Sequence, residues 1–332
     1  LYVDSETDTT VQTHELRVNA PLSDTMSLTA GVFMSDLELL EHNMFTYPGS
    51  AVSDIGFGLN YALTDISVTG IPLQGKTREH AGAGWHSGRG PYSPPVMFIN
   101  DIKRTDKQQG IFGELSIDVS DTSELTVGAR WYDIEVDLEG SANGAYGNKG
   151  ATSDSGGGGA NLSVQYAPNN ANGYPDKAET DGVIGKVTYS WKPSEDIMYY
   201  VTWSEGFRPG LLNRPVGAGD ENYSVKAVTD TDEVTNYEFG WKATLMDGSL
   251  RLNGSLFKSD ITGLQSTIFD AAIVNLFFSD NAANAEIKGL EADFVYLTGI
   301  DGLTVAGASS FLDTVITEKI TPTNDVVVGD EL

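Results

Sequence analysis

The sequence predicts an all-β chain, part of the wall of an antiparallel transmembrane β-barrel, and three observations carry that reading. Segments of alternating apolar and polar residues recur in pairs along the 332 residues, joined within a pair by about three to five residues and separated between pairs by about twenty to seventy. Many of the segments run to about nine to thirteen residues, the length a tilted strand needs to cross a bilayer. Aromatic residues gather near segment ends, at Trp131, Tyr189, Trp191, Tyr199 and Trp203, as in the girdles of membrane barrels. Strands of an up-and-down barrel alternate in direction, so the short turns fall at one end, periplasmic in outer-membrane barrels, and the long loops at the other, extracellular end.

The elements follow in order. Segments 14–20 and 25–36 flank the turn Pro21 to Asp24. Segments 109–119 and 124–137 flank Ser120 to Ser123, and in the second of them Leu125, Val127, Ala129 and Trp131 oppose Thr126, Arg130 and Tyr132. Segments 182–190 and 197–207 flank Lys192 to Asp196, with Ile197, Tyr199, Val201 and Trp203 opposed to Tyr200, Thr202 and Ser204. Segments 235–245 and 249–260 flank Met246 to Gly248. Here Tyr237, Phe239, Trp241, Ala243 and Leu245 oppose Asn236, Glu238, Lys242 and Thr244, and Leu250, Leu252 and Leu256 oppose Arg251, Asn253 and Ser255. Segments 285–297 and 303–315 flank Thr298 to Gly302, and Leu290, Ala292, Phe294 and Tyr296 alternate with Glu291 and Asp293. Period two with this contrast is the pattern of a half-buried strand. A water-soluble sandwich has the same period; its strands are commonly about five or six residues long, and the greater length and one-sided loops favour the membrane.

Composition narrows the function classes. The absence of cysteine excludes disulfides, thiolate metal sites and cysteine nucleophiles. A net charge of −27 opposes extended contact with nucleic acid, which needs clustered Lys and Arg. No apolar stretch is long enough for a membrane-crossing helix, and no basic, apolar leader opens the chain at Leu1. Catalysis finds no support: His14, His42, His80 and His86 lack metalloprotease spacing, and no serine stands in a nucleophile elbow. Glu291 and Asp293 fit lumen-facing carboxylates better than an acid–base pair. The run Asp230-Thr-Asp-Glu233 lacks the glycine turn and distal glutamate of a calcium loop and reads as a solvated acidic rim. The chain is therefore expected to be neither an enzyme nor a holder of a metal or cofactor. The segment 37–108 is expected to be one long extracellular loop, of the size that is usually functional or disordered.

Four strings resemble one family. Gln109-Gln-Gly-Ile-Phe-Gly-Glu-Leu through Leu125-Thr-Val-Gly-Ala-Arg-Trp-Tyr132, Met198-Tyr-Tyr-Val-Thr-Trp-Ser-Glu-Gly-Phe-Arg-Pro209, Thr235-Asn-Tyr-Glu-Phe-Gly-Trp-Lys242 with its return Asp247 to Asn253, and Ala285-Glu-Ile-Lys-Gly-Leu-Glu-Ala-Asp293 are similar, in this order, to strands of TonB-dependent outer-membrane receptors. The resemblance covers roughly residues 10 to 315. It implies a 22-stranded barrel holding an N-terminal plug, of which residues 1–332 would supply about ten strands, without plug, TonB-contacting segment or closing strands and with an unpaired end at Leu332. It also implies active import of a scarce nutrient across the bacterial outer membrane, the ligand being a metal chelate, siderophore, cobalamin or oligosaccharide. The implied partners are the inner-membrane TonB complex, reached through the missing N-terminal segments, outer-membrane lipid and a small ligand. Basic and aromatic residues on the outer side, Trp85, His86, Arg89, Tyr92, Arg208, Arg214 and Tyr223, are the expected ligand contacts. A passive porin-like channel, a barrel enzyme and a surface β-sandwich adhesin stay open as alternatives.

Overall fold

A computed structural model describes residues 2–46, 48, 96–144, 177–213, 223, 225–270 and 278–332, with only the backbone of 96–101 and 139–144. The described chain is one ten-stranded antiparallel sheet whose spatial order is its sequence order. The strands are β1 (Tyr2–Ser23), β2 (Met26–Thr46), β3 (Val96–Ser120), β4 (Ser123–Gly144), β5 (Lys177–Ser194), β6 (Ile197–Arg208), β7 (Asp232–Leu245), β8 (Leu250–Ile268), β9 (Phe278–Leu297) and β10 (Thr304–Lys319). The five expected hairpins are present, and their connections all lie at one end. Three shrink to the two-residue turns Asp24-Thr25, Asp121-Thr122 and Glu195-Asp196. The β7–β8 turn holds Met246 and Asp247 at φ 56° and 53°, the left-handed region that L residues enter at a cost.

One face carries the membrane signature. Following the pairing register, Met26, Ile117, Leu125, Tyr189, Val201, Phe239, Leu256, Leu290 and Phe311 stand side by side from β2 to β10. In this unbroken apolar row Tyr189, Val201, Phe239, Leu256 and Phe311 are exposed, Phe311 by 66% and Val201 by 55%, which in water would be a large unfavourable patch and in lipid is the expected exterior. The adjacent row on the other face is Ser27, Ser116, Thr126, Thr188, Thr202 and Glu238, with hydroxyl pairs Ser116–Thr126 at 3.2 Å and Thr188–Thr202 at 3.0 Å. Glu291 and Asp293 stand on this polar face, beside Ser310 and Asn253.

The strands run further than the periodicity indicates, and always toward the long loops. β2 continues to Thr46 and β3 begins at Val96, so both ends of the segment read as the loop 37–108 are strand. The reason is visible in β4, where the sequence Trp131-Tyr-Asp-Ile-Glu-Val-Asp-Leu138 reverses the phase of alternation. Below Trp131 the apolar residues face outward; above it Tyr132, Ile134, Val136 and Leu138 are buried on the opposite face, and Asp133, Glu135 and Asp137 take the outer one. Beyond the bilayer the outer face meets water, and ion pairs replace side chains that met lipid: Lys103–Glu38 at 2.8 Å, Lys177–Glu135 at 2.9 Å and Lys258–Glu286 at 3.0 Å. The end at Leu332, expected to be unpaired, lies along β10 instead: Gly329 N–H donates to Ile316 O, Ile316 N–H to Asp330 O, and Leu332 N–H to Thr314 Oγ1.

Glycines let large rings lie flat on the polar face. A Cβ on Gly240 would overlap the Tyr200 ring from the neighbouring strand, and that ring is fixed because its hydroxyl donates to Glu238 at 2.5 Å. Gly240→Val is therefore expected to destabilise the sheet by about 1–3 kcal/mol through overpacking, whereas Tyr200→Ala/Gly240→Val should recover part of the loss. Urea titration of both variants, folded in lipid vesicles, checks this.

Candidate functional site

Ladder pairing between β5 and β6 runs up from their turn only as far as Lys186 and Ser204. Above that level, among the described residues, side chains replace the rungs. Gly185 N–H donates to Glu205 Oε2 at 2.9 Å, Gly210 N–H reaches Thr180 Oγ1 at 3.3 Å, and the rings of Tyr132 and Phe207 stack with centroids 3.6 Å apart. The described parts of the β6–β7 connection, 209–213, 223 and 225–231, lie behind this opening. Its two arms pair with each other, Asn213 N–H to Ala227 O at 2.8 Å and Thr229 N–H to Leu211 O at 2.9 Å.

This connection bridges distant parts of the wall. Leu212 packs against Ile102 and Leu138, and against the cluster of Tyr132, Ile134, Val136 and Ala178. Its neighbour Asn213 exchanges two hydrogen bonds with the backbone of Ser279 on β9. Adjacent residues can touch β3 and β9 only if the sheet curves into a trough with the polar face concave. On the far side, Tyr223 and Val225 rest on the cluster Ile268, Phe278, Ala282, Ala283, Ile316 and Val326.

Buried polar groups fasten the connection at its neck. Asp232, 1% exposed, accepts from Arg208 Nε at 2.7 Å, Arg208 Nη2, Arg208 N–H at 3.1 Å and Gln265 N–H at 3.2 Å. Gln265 Nε2 donates to Pro209 O at 2.9 Å and Asp230 O at 3.1 Å. Asn281 accepts from Asp230 N–H at 2.8 Å and donates to Asp230 O at 2.9 Å and Gly263 O at 2.7 Å. Buried amides must find such partners or forfeit the hydrogen bonds they had to water.

The expected contact residues fall in two groups. Arg208 stands at the mouth, its guanidinium forked on Asp232 while its side chain stays 57% exposed. Tyr223 is half-buried against the outer cluster. Trp85, His86, Arg89, Tyr92 and Arg214 lie outside the described residues. The acidic run 230–233 is not the uniformly solvated rim it reads as: Asp230 pairs with Lys226 at 2.6 Å in the open, while Asp232 is buried on Arg208. Sequence reasoning missed Asn213, Gln265 and Asn281, since isolated polar residues near loops carry no periodic signal, and it read Asp232 only as part of the acidic rim.

Asp280, at the outer end of β9 and 1% exposed, holds Thr321 Oγ1–H at 2.9 Å and Asn281 N–H at 2.9 Å. Burial pushes its carboxyl above the ordinary value of 3.8, against the smaller opposing effect of those two hydrogen bonds. The stability it contributes is present below about pH 4 and is lost as pH rises through its elevated value in the folded protein. Asp280→Asn should thus gain stability relative to the parent as pH rises from about 4 toward 7. Thermal midpoints of the two proteins across that range check the direction.

The family model described as TonB dependent receptor-like, beta-barrel, matches residues 3–332. Among solved structures, the ferric yersiniabactin uptake receptor FyuA from Yersinia pestis superposes with a TM-score of 0.61 at 11% identity, over 96% of this chain and 37% of that one. The siderophore receptor PiuA from Acinetobacter baumannii gives 0.57 at 17% identity, over 95% and 39%. The copper transporter OprC gives 0.58 at 14% identity, again over 95% and 39%. The chain thus spans well under half the length of each, and at these identities the likeness is one of fold.

Proposed function

Because the chain belongs to the family of TonB-dependent receptor β-barrels, we propose that it forms part of the wall and mouth of an outer-membrane importer for a scarce nutrient, foremost a metal chelate. The observation that carries this reading is the β6–β7 connection folded inward across the polar, concave face. An inward-folded connection places buried amides and the exposed side of Arg208 over the mouth, where a captured ligand would rest. The three solved proteins named above are, by their descriptions, a ferric yersiniabactin uptake receptor, a siderophore receptor and a copper transporter, which supports a metal-bearing ligand. In this reading residues 1–332 are part of one barrel domain, and the loop between β2 and β3 is extracellular. Trp85, His86, Arg89, Tyr92 and Arg214 from the outer loops, with the exposed side of Arg208 and with Tyr223, meet the ligand. A plug and a TonB-contacting segment belonging to other parts of the protein complete the site and deliver energy from the inner membrane.

The test is uptake by whole cells. A strain lacking the gene, complemented with the full-length protein, is supplied with radiolabelled iron or copper in a panel of chelates, in TonB-positive and TonB-negative backgrounds. Uptake of at least one chelate that needs both the gene and TonB is expected. Uptake that needs the gene but not TonB would instead establish a passive channel and overturn the proposal.

A further inference from the structure

We propose that Asn213, Gln265 and Asn281 are positioning residues that hold the two arms of the β6–β7 connection, 209–213 and 225–231, as a permanent shelf at the mouth, so that the ligand meets arms already fixed in place and no lid built from them has to close. The ligand-facing half of this statement rests on the import reading above; the shelf itself does not. Three features of the geometry carry it. First, two of the amides imitate a rung of β-sheet. Asn213 gives Nδ2–H to Ser279 O at 2.6 Å and takes Ser279 N–H on Oδ1 at 2.7 Å, and Asn281 does the same with the peptide of Asp230. A side chain that satisfies both polar groups of one residue extends the hydrogen-bonded sheet into a segment that is not a strand.

Second, Gln265 ties the entry of the connection at Pro209 to its exit at Asp230, which closes the loop at its neck and removes the slack through which a lid would swing. Third, all three amides are at least nine-tenths buried, at 8%, 9% and 3% exposure, so breaking their bonds would leave orphaned polar groups without water at hand. Mobile lids are drawn from segments with few buried contacts and solvated hydrogen bonds. Here the arms 209–213 and 225–231 are anchored by buried amides on one side and by Leu212 on the other.

Hydrogen exchange of the full-length protein in detergent, followed by mass spectrometry with no chelate added, tests the shelf. Peptides covering 209–213 and 225–232 are expected to be protected in the parent. In Asn281→Ala and in Gln265→Ala they should exchange about 10- to 100-fold faster, while peptides of β1 to β4 are unchanged and heat-modifiable gel migration reports an intact barrel. Parent peptides that exchange as fast as free chain, or variants that leave protection unaltered, would overturn the shelf.

Concentration-dependent uptake of a radiolabelled chelate accepted by the parent tests the positioning role. A half-saturation concentration raised several-fold at unchanged maximal rate supports it; loss of protection with both parameters unchanged overturns it. If the parent takes up no chelate in the panel, the import reading fails while the exchange result still decides the shelf.

Discussion

Arg208→Ala is expected to destabilise the folded protein by about 3 kcal/mol, at the lower end of what breaking a buried ion pair costs. The asymmetry of the pair sets both sign and size. Arg208 is 57% exposed and its charge can return to water, but the Asp232 side chain is only 2% exposed and would be left with two backbone N–H donors, those of Arg208 and Gln265. Had both partners been exposed, the loss would have been about 0–1 kcal/mol. The double variant Arg208→Ala/Asp232→Asn should recover much of the loss, because a neutral amide oxygen still accepts a backbone N–H without a stranded charge. Urea titrations of parent, single and double variants make the test, and a single variant as stable as the parent would show that Arg208 does not clamp the neck.

Val201→Arg should cost about 1–2 kcal/mol when the protein is folded in a bilayer, between the roughly 2–4 kcal/mol of a cation at the midplane of a barrel's lipid face and the roughly 0–1 kcal/mol near its interfaces. Val201 lies between Tyr199 and Trp203 on the apolar face and is 55% exposed. In a water-soluble sheet a substitution at such a site would move stability by no more than about 0.5 kcal/mol, so the size of the effect reports the solvent. The control is Asn253→Arg on the concave face, where the new guanidinium can take over from Asn253 the bond to Asp293, now 3.0 Å long. Its effect should stay within about 0.5 kcal/mol. Equal costs at the two positions would mean that inside and outside have been assigned the wrong way round or that no lipid face exists.

These two predictions mark the boundary of what can be read without coordinates. The row from Met26 to Phe311 was legible because one solvent, lipid, acts on every second residue, and the same pressure leaves a regular trace in all five hairpins. Above Trp131 that pressure ends. The outer face there meets water and the inner face meets a folded connection, so alternation reverses in β4, and the upper parts of β2 and β3 read as loop. The neck was illegible for another reason. Asn213 and Ser279 are 66 residues apart, and a side-chain amide that imitates a peptide leaves no pattern in the order of residues. Arg208 was legible as a cation at the mouth, but its partner Asp232 was hidden inside an acidic run that resembled an ordinary wet rim.

The interrupted ladder between β5 and β6 gives the wall a grain. Under a pull applied from the cell surface, a sheet tears along its shortest line of backbone rungs, and here that line separates a panel of β1 to β5 from a panel of β6 to β10. What resists tearing above Lys186, besides Leu212 packed on the clusters of β3 to β5, is a ring stack, one carboxylate and the threonine at position 180, contacts that slip and re-form more readily than a run of peptide hydrogen bonds in register. Any shear between the two panels would concentrate at this seam, with Leu212 on one side and Asn213 on the other as the ties that limit it.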